Sequence, residues 1–172
     1  LCLRCNHKAP MTNASQKVIW QHAAGDTNRN CADTCLKRGV ILNGPGYTGH
    51  WSTGEEKLRN DGWSSSKLTD LRRFAEEMKP GDLVVLRVGT SEVRGVGEIV
   101  GDYEWSDAFA DINGWELQHV RRVRWYWRFG DSHQSFETFA MKPGATTQRL
   151  GPGVVFDWVQ SLIACLHPPL ST

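Results

Sequence analysis

Tryptophan is the residue of this sequence whose number and placement most suggest chemistry. Eight of the 172 residues are tryptophans, and Trp51, Trp63, Trp105 and Trp115 stand in stretches rich in Gly, Ser, Asp and Asn. Trp20 ends a short apolar run. An indole offers a flat π-face and one N–H donor, and leaving it in water is costly. Several such rings on loops predict an aromatic cage for a flat or methylated ligand. The alternative is that most of them fill a small core or cover its rim.

The charged residues are unevenly distributed although the net charge is only +1. Residues 101–118 carry five acidic side chains and no Lys or Arg, whereas residues 121–128 carry four arginines. On a strand, Arg122 and Arg124 share one face with Tyr126. Such arginines are typical of phosphate contacts, or else they form a solvated face paired with the preceding acids. The low net charge excludes a strongly basic nucleic-acid coat but allows a local basic groove.

The sequence predicts neither catalysis nor a metal site. It contains no HExxH, P-loop or GxSxG motif. Five cysteines, an odd number in a chain of this length, indicate reduced thiols and a cytoplasmic location. Cys165 is predicted to be a core thiol on the last helix. Ligand-type residues occur as Cys2, Cys5 and His7, and as Cys31 with Cys35. The second spacing is poor for a zinc knuckle, so we expect no metal and no cofactor.

One domain is expected over residues 17–166, preceded by a tail over residues 1–16. Met11 resembles a natural start, which makes the first ten residues candidates for an added segment. Residues 167–172 resemble the beginning of a linker to a further C-terminal domain. The chain has no apolar run long enough for a membrane span, so no membrane partner is expected.

Hydrophobic periodicity predicts strands alternating with a few helices. The predicted strands cover residues 17–22, 40–42, 82–88, 93–100, 119–127 and 135–139, and the predicted helices cover residues 31–38, 67–78 and 155–166. Asn30 and Ser66 are the expected helix caps, and Gly39 is the expected stop of the first helix. Residues 23–29 and 52–65 are predicted loops. This pattern favours an α+β fold, a small, mostly antiparallel twisted β-barrel with flanking helices.

Three segments in this order carry a family resemblance. They are WQHAAGD (residues 20–26) with Arg29, GVILNGPG (residues 39–46), and KPGDLVVLR (residues 79–87) leading to GVGEIV (residues 95–100). Over roughly residues 17–130 the chain resembles the EVE-like branch of the PUA-like superfamily, in particular the N-terminal modules of modification-dependent (type IV) restriction proteins. The resemblance implies a small barrel that holds a modified base, flipped out of nucleic acid, in an aromatic pocket.

The candidate base pocket consists of Trp20, Gln21, Asp26, Asn43, Tyr47, Trp51 and Trp105. Aromatic faces stack on a base, and the amides of Gln21 and Asn43 offer a donor and an acceptor to its edge. Asp26 can accept a hydrogen bond from an exocyclic amine or a hydroxymethyl group. The competing interpretations are simple turn chemistry at residues 43–46 and a structural ion pair between Asp26 and Arg29. The candidate contacts to the nucleic-acid backbone are Arg29, Lys57, Arg59, Lys67, Arg122 and Arg124.

The resulting expectation is a non-catalytic module that binds double-stranded DNA carrying a modified base. The leading ligands are 5-methylcytosine, 5-hydroxymethylcytosine and N6-methyladenine, and a fused nuclease or NTPase domain would act on the bound DNA. The sequence leaves three alternatives open. These are a PUA-like module that reads modified or single-stranded RNA, a small ASCH-like RNase, and a protein-interaction domain.

Overall fold

A computed structural model describes residues 17–130 and 136–166. Seven strands lie in this part of the chain: β1 (Ile19–Gly25), β2 (Val40–Asn43), β3 (Leu83–Val88), β4 (Glu92–Ile99), β5 (Glu104–Trp105), β6 (His119–Arg128) and β7 (Thr147–Arg149). The same residues form four α-helices: α1 (Ala32–Arg38), α2 (Trp51–Asn60), α3 (Ser65–Arg72) and α4 (Val154–Leu166). A π-helical turn (Arg73–Glu77) continues α3, and a short 3-10 helix (Asp107–Phe109) precedes β6.

The strands form one curled, half-barrel sheet in the order β2-β6-β4-β3-β1-β7, with β5 paired to β6. β1 runs parallel to β3, and the other pairings are antiparallel. The prediction of an α+β fold with a mostly antiparallel sheet is therefore confirmed at this level. The parallel pair needs a long crossover, and the chain between β1 and β3 supplies it with α1, β2, α2 and α3.

β3 explains why the sheet has a core on both faces. All six of its residues, LVVLRV, are buried. Because side chains alternate along a strand, Val84 and Leu86 join one hydrophobic cluster, while Leu83 and Val85 join the other. A continuous apolar run of this kind is typical of a strand covered on both sides.

Different helices cover the two faces. The first cluster contains Trp20 of β1, Cys35 of α1 and Phe74 of the π-helical turn. The second contains Val155 and Val159 of α4. A third, smaller cluster lies between α2 and α3. The helix predicted over residues 155–166 is thus confirmed, and it packs on the second cluster.

Several predicted elements were wrong or displaced. Residues 52–65, expected to be a loop, contain helix α2 and the start of α3. Ser64 rather than Ser66 caps α3, because its side chain accepts a hydrogen bond from the Lys67 N–H. Residues 136–139 form no strand, and residue 135 lies outside the described residues. Strand β7 was not predicted at all.

The C-terminal end of the first helix agrees with the prediction. Gly39 adopts a left-handed conformation (φ 64°) and ends α1. At the other end, the N-cap is Cys31 and not the expected Asn30, although the Asn30 side chain accepts a hydrogen bond from the Ala32 N–H at 3.1 Å. Left-handed geometry is the common way for glycine to stop a helix, so the local sequence signal was sufficient here.

The cysteines differ from the expectation at one position. Cys165 is exposed near the end of α4 and belongs to a disulfide, so it is not a reduced core thiol. Cys31 and Cys35 are free and buried, with their sulfur atoms 3.8 Å apart. Cys2, Cys5 and His7 lie outside the described residues. Within the described ranges, no cluster of three or more His, Cys, Asp or Glu side chains has a metal-binding arrangement. No helix in the same ranges has the length and apolar character of a membrane span.

Candidate ligand cavity

A cavity of about 570 Å³ opens where the end of β1, the loop after β2 and residues 114–117 meet. Its size falls within the range of small-molecule sites, about 300–1,000 Å³. Its aromatic lining is Trp63 and Trp115, and its apolar lining includes Ala24 and Leu42. The polar lining is contributed by Asn43, Lys67, Glu116 and Thr146. The cavity therefore combines flat apolar surface with a small number of charged groups.

Trp115 is held in place by an arginine behind it. The guanidinium carbon of Arg29 lies 4.0 Å from the centre of the indole, a cation–π contact. The Nε and Nη2 atoms of Arg29 donate to the Asn113 carbonyl at 3.0 and 2.6 Å. Asp26 fixes the turn before it, accepting hydrogen bonds from the N–H groups of Asn28 and Arg29. The predicted residues Asp26 and Arg29 thus position a cavity residue and do not form an ion pair with each other.

Trp63 is oriented by a chain of two hydrogen bonds. Its indole N–H donates to the Tyr47 hydroxyl at 3.0 Å, and that hydroxyl donates to Asp61 at 2.8 Å. The Asp61 carboxylate raises the pKa of Tyr47. Trp63 is 40% exposed, so without these bonds little would fix the direction of its ring. Tyr47 was predicted as a pocket wall, but its contact is with the tryptophan that forms the wall.

A buried polar network lies beneath the cavity. Asp70, on α3, accepts hydrogen bonds from Asn43 Nδ2 (3.2 Å), from Lys67 Nζ (3.1 Å) and from the N–H groups of Thr146 (3.0 Å) and Thr147 (2.9 Å). Asn43 also accepts from Lys67 Nζ at 2.8 Å. Burial would raise the pKa of Asp70, but Lys67 and the two N–H donors outweigh it and lower that pKa. The network ties α3 to the facing ends of β2 and β7.

The partners of His22 determine its tautomer. Nε2 lies 2.7 Å from the Leu42 carbonyl, which can only accept, so Nε2 carries the proton. Nδ1 must then accept from the Thr147 hydroxyl at 3.0 Å. That hydroxyl accepts in turn from Asn43 at 3.2 Å. Burial lowers the pKa of His22 to about 4, so the ring is neutral at physiological pH.

A second histidine secures the loop after β2. His119 Nε2 donates to the Pro45 carbonyl at 2.9 Å, and its Nδ1 accepts from the Tyr103 hydroxyl at 2.6 Å. Burial lowers the pKa of His119 to about 4 and raises that of Tyr103 to about 12. The loop also packs tightly: a Cβ at Gly44 would lie 2.2 Å from the Glu116 carbonyl oxygen. Glycine is required there by close main-chain contact and not by turn geometry alone.

Most of the predicted aromatic pocket residues lie elsewhere. Trp20 is fully buried and donates to Asp82 at 2.9 Å. Trp51 is buried at the start of α2 and donates to Glu76 at 2.9 Å. Trp105 donates to the Gly46 carbonyl at 2.8 Å and so supports the loop. None of these three indoles lines the cavity.

The two predicted amide readers are both engaged within the protein. The Gln21 side chain is buried and bonds both the carbonyl and the N–H of Lys142. Asn43 lines the cavity, but both of its Nδ2 hydrogens have partners in the network and its oxygen accepts from Lys67 and Gly44. Because its donors and its acceptor are all occupied, the Asn43 amide stabilises the cavity and has no free group with which to read a ligand edge.

The predicted backbone-contacting residues separate into two groups. Lys67 lines the cavity and Arg29 stands behind its wall. The other four side chains are exposed on α2 or β6, outside the cavity lining: Lys57, Arg59, Arg122 and Arg124. Arg122 pairs with Glu104 and Arg124 with Glu98. The interpretation of a solvated face paired with the acids of residues 101–118 therefore describes Arg122, whereas Arg124 pairs with Glu98 of β4 instead.

Among the cavity residues that the predicted site lacked are Trp63, Trp115, Glu116 and Thr146. Trp63 and Trp115 belong to the loop tryptophans of the sequence, so composition pointed toward them, but spacing gave no means of choosing among the eight. Thr146 has no sequence signal, because it reaches the cavity only through the pairing of β7 with β1.

Residues 20–148 match the family described as Domain of unknown function (DUF8426). The match spans well over half of the chain, so the protein belongs to this family. It includes β1 from Trp20 onward and the start of β7, and it contains every residue that lines the cavity. A search of curated proteins found no match.

Proposed function

We propose that the protein is an EVE-like, PUA-like recognition module that binds a modified base flipped out of nucleic acid. The observation that carries the proposal is the cavity itself. It is lined by two tryptophans, and each is held from outside the cavity, Trp115 by Arg29 and Trp63 by Tyr47. Aromatic rings fixed in advance bind a flat ligand without a further ordering cost.

The energetics of base flipping are compatible with two such rings. Extruding a base costs a few kcal/mol. Stacking on an aromatic side chain contributes about 1–3 kcal/mol per base. Two indoles therefore offset the extrusion, and a small apolar cavity gains further from burying a methyl group, about 0.8 kcal/mol per carbon. An unmodified base would lack this last contribution.

Lys67 and Glu116 are the proposed readers of the base edge. Lys67 has three N–H donors, of which Asn43 and Asp70 receive two. Glu116 contributes an exposed carboxylate that can accept from an exocyclic amine. A base that presents an acceptor beside an amine fits this pair. Cytosine and adenine derivatives both do so, and 5-methylcytosine, 5-hydroxymethylcytosine and N6-methyladenine remain the candidates.

The test is a binding panel at one fixed salt concentration. Matched DNA duplexes would carry an unmodified base or one of the three modifications, and a single-stranded RNA with the corresponding modified bases would test the RNA-binding alternative. We expect tighter binding to one modified duplex, weakened about 5- to 150-fold by Trp115→Ala. Phe139→Ala is the matched control, because Phe139 is 69% exposed and lies outside the cavity. Equal binding of modified and unmodified duplexes by the wild-type protein would reject the proposal.

A small RNase is the second candidate, because an acid and a lysine line the same cavity. Glu116 and Lys67 could serve as a general base and an electrostatic stabiliser. Incubation of RNA with the protein tests this: cleavage that is lost in both Glu116→Gln and Lys67→Met would favour the enzyme. Intact RNA beside selective binding of a modified base would favour the recognition module.

A further inference from the structure

A second groove adjoins the cavity and continues its surface. It has a volume of about 600 Å³ and runs between one side of α3, as far as Arg73, and residues 144–146. Lys67 and Thr146 line both spaces, so the two are contiguous. The lining differs in chemistry: the cavity has indoles and apolar side chains, whereas the groove has Ser65, Ser66 and Arg73. A ligand that extends from one to the other must be flat at one end and polar at the other.

The groove contains cationic donors that the protein uses only in part. Arg73 makes one long hydrogen bond, 3.4 Å from Nη1 to the Thr147 carbonyl. Within residues 17–130 and 136–166, no carboxylate pairs with Arg73. Its neighbour Arg72, by contrast, pairs with Glu77 at 3.8 Å and does not line the groove. Arg73 therefore offers most of its guanidinium to a ligand with several acceptor oxygens.

Asp70 and the Ala145 carbonyl, two acceptors of the groove wall, are already occupied. Both oxygens of Asp70 receive hydrogen bonds from the buried network beneath the cavity. The Ala145 carbonyl receives one from buried Arg87 at 3.3 Å. Arg87 also places a positive charge behind this wall, and within the described ranges no carboxylate pairs with it. The groove thus presents donors without free carboxylates, which suits an anion.

We propose that this groove binds a phosphodiester next to the flipped base, with Arg73 and Lys67 as its cationic contacts. The inference rests on the proposed function and extends it. The ligand is then a nucleotide within a strand, and a free base or nucleoside is a poor substitute. Lys67 lies at the junction, where its one remaining N–H donates to the base edge and its positive charge favours the adjacent phosphate.

The test deletes one charge from the ligand and one from the protein. Duplexes carrying the preferred modified base would have a single neutral methylphosphonate linkage on its 5′ or its 3′ side. We expect one of the two linkages to weaken binding by the wild-type protein about tenfold. Arg73→Gln should weaken binding of the natural duplex by a similar factor, and it should add nothing once that linkage is neutral. Arg72→Gln, the matched control, should stay within roughly twofold.

The outcomes separate this inference from the function on which it rests. If the wild-type protein prefers the modified base but neither neutral linkage changes its affinity, the groove does not bind phosphate and the inference fails alone. If Arg73→Gln weakens binding of both neutral duplexes as much as it weakens binding of the natural duplex, this inference fails while the proposed function stands. If the wild-type protein shows no preference for the modified base, the proposed function and this inference fail together. The comparison of neutral with natural linkages on the wild-type protein does not depend on the folding of any variant.

Discussion

Replacing Asp70 by asparagine tests whether the network beneath the cavity stabilises the fold. All four partners of this carboxylate are donors: Asn43, Lys67 and the N–H groups of Thr146 and Thr147. An asparagine has one acceptor oxygen, and its amide would face two of these donors. Two hydrogen bonds to a charged group are lost, and Lys67, whose side chain is only 21% exposed, loses its counter-charge. Breaking a buried pair on one side typically costs about 3–5 kcal/mol.

The assay is urea unfolding followed by tryptophan fluorescence, with thermal melting alongside. For a chain of this size, a loss of about 3–5 kcal/mol corresponds to a melting temperature roughly 6–20 °C lower. Asp107→Asn is the control, because Asp107 is exposed and its replacement should change stability by less than about 0.5 kcal/mol. Lys67→Met should lower the free energy of unfolding less than Asp70→Asn does, because the Asp70 carboxylate would still accept hydrogen bonds from its three other donors. A loss below about 1 kcal/mol in Asp70→Asn would show that the network is not a stabilising unit.

Three further predictions concern pH, the orientation of a cavity wall and a close backbone contact. His22 and His119 have pKa values of about 4 in the folded protein and an ordinary 6.5 in the unfolded chain. Below pH 6.5 the unfolded chain therefore binds protons that the fold does not, and the free energy of unfolding should fall by roughly 1 kcal/mol per pH unit for each ring between pH 6.5 and pH 4. In urea titrations at several pH values, His119→Gln should reduce the slope of unfolding free energy against pH, and an unchanged slope would contradict this assignment. Tyr47→Phe should leave stability within about 0.5 kcal/mol but weaken binding of the modified duplex about threefold to tenfold, because Trp63 loses its hydrogen bond; unaltered affinity would speak against the positioning role. Gly44→Ala should cost about 1–3 kcal/mol in urea unfolding, because its Cβ meets a main-chain oxygen at 2.2 Å, and wild-type stability would disprove that contact.

The sequence was sufficient to predict the strands and helices that have a strong apolar pattern. β3, β4, β6 and α4 each bury a face or two, so periodicity located them within a few residues. Helix α2 escaped because its residues, WSTGEEKLRN, are mostly polar and bury only Trp51, Gly54 and Leu58. His50, an uncommon cap, accepts from the Ser52 N–H at its start. Local propensity could not reveal a helix fixed by tertiary packing.

The site was harder to predict than the fold, for a reason visible at Trp20. This residue lies on β1, which is flanked by β3 and β7 and covered by a hydrophobic cluster. Nothing in the sequence near residue 20 shows that the strand is internal, so its indole could not be assigned to core or pocket. Arg29 was predicted as a backbone contact and Tyr47 as a pocket wall; their observed contacts with Trp115 and Trp63 depend on long-range packing that the sequence does not reveal.

The pairing of β1 has a consequence for the order in which the molecule assembles. Its parallel neighbour, β3, begins at Leu83, and its other neighbour, β7, begins at Thr147. Contacts between residues so far apart in the chain form slowly, because a long loop must close before they gain any stabilisation. During synthesis, β1 therefore emerges long before either partner. Thr146 and Thr147 join the buried network only when β7 docks, which makes the ligand cavity one of the last regions of the fold to reach its final form.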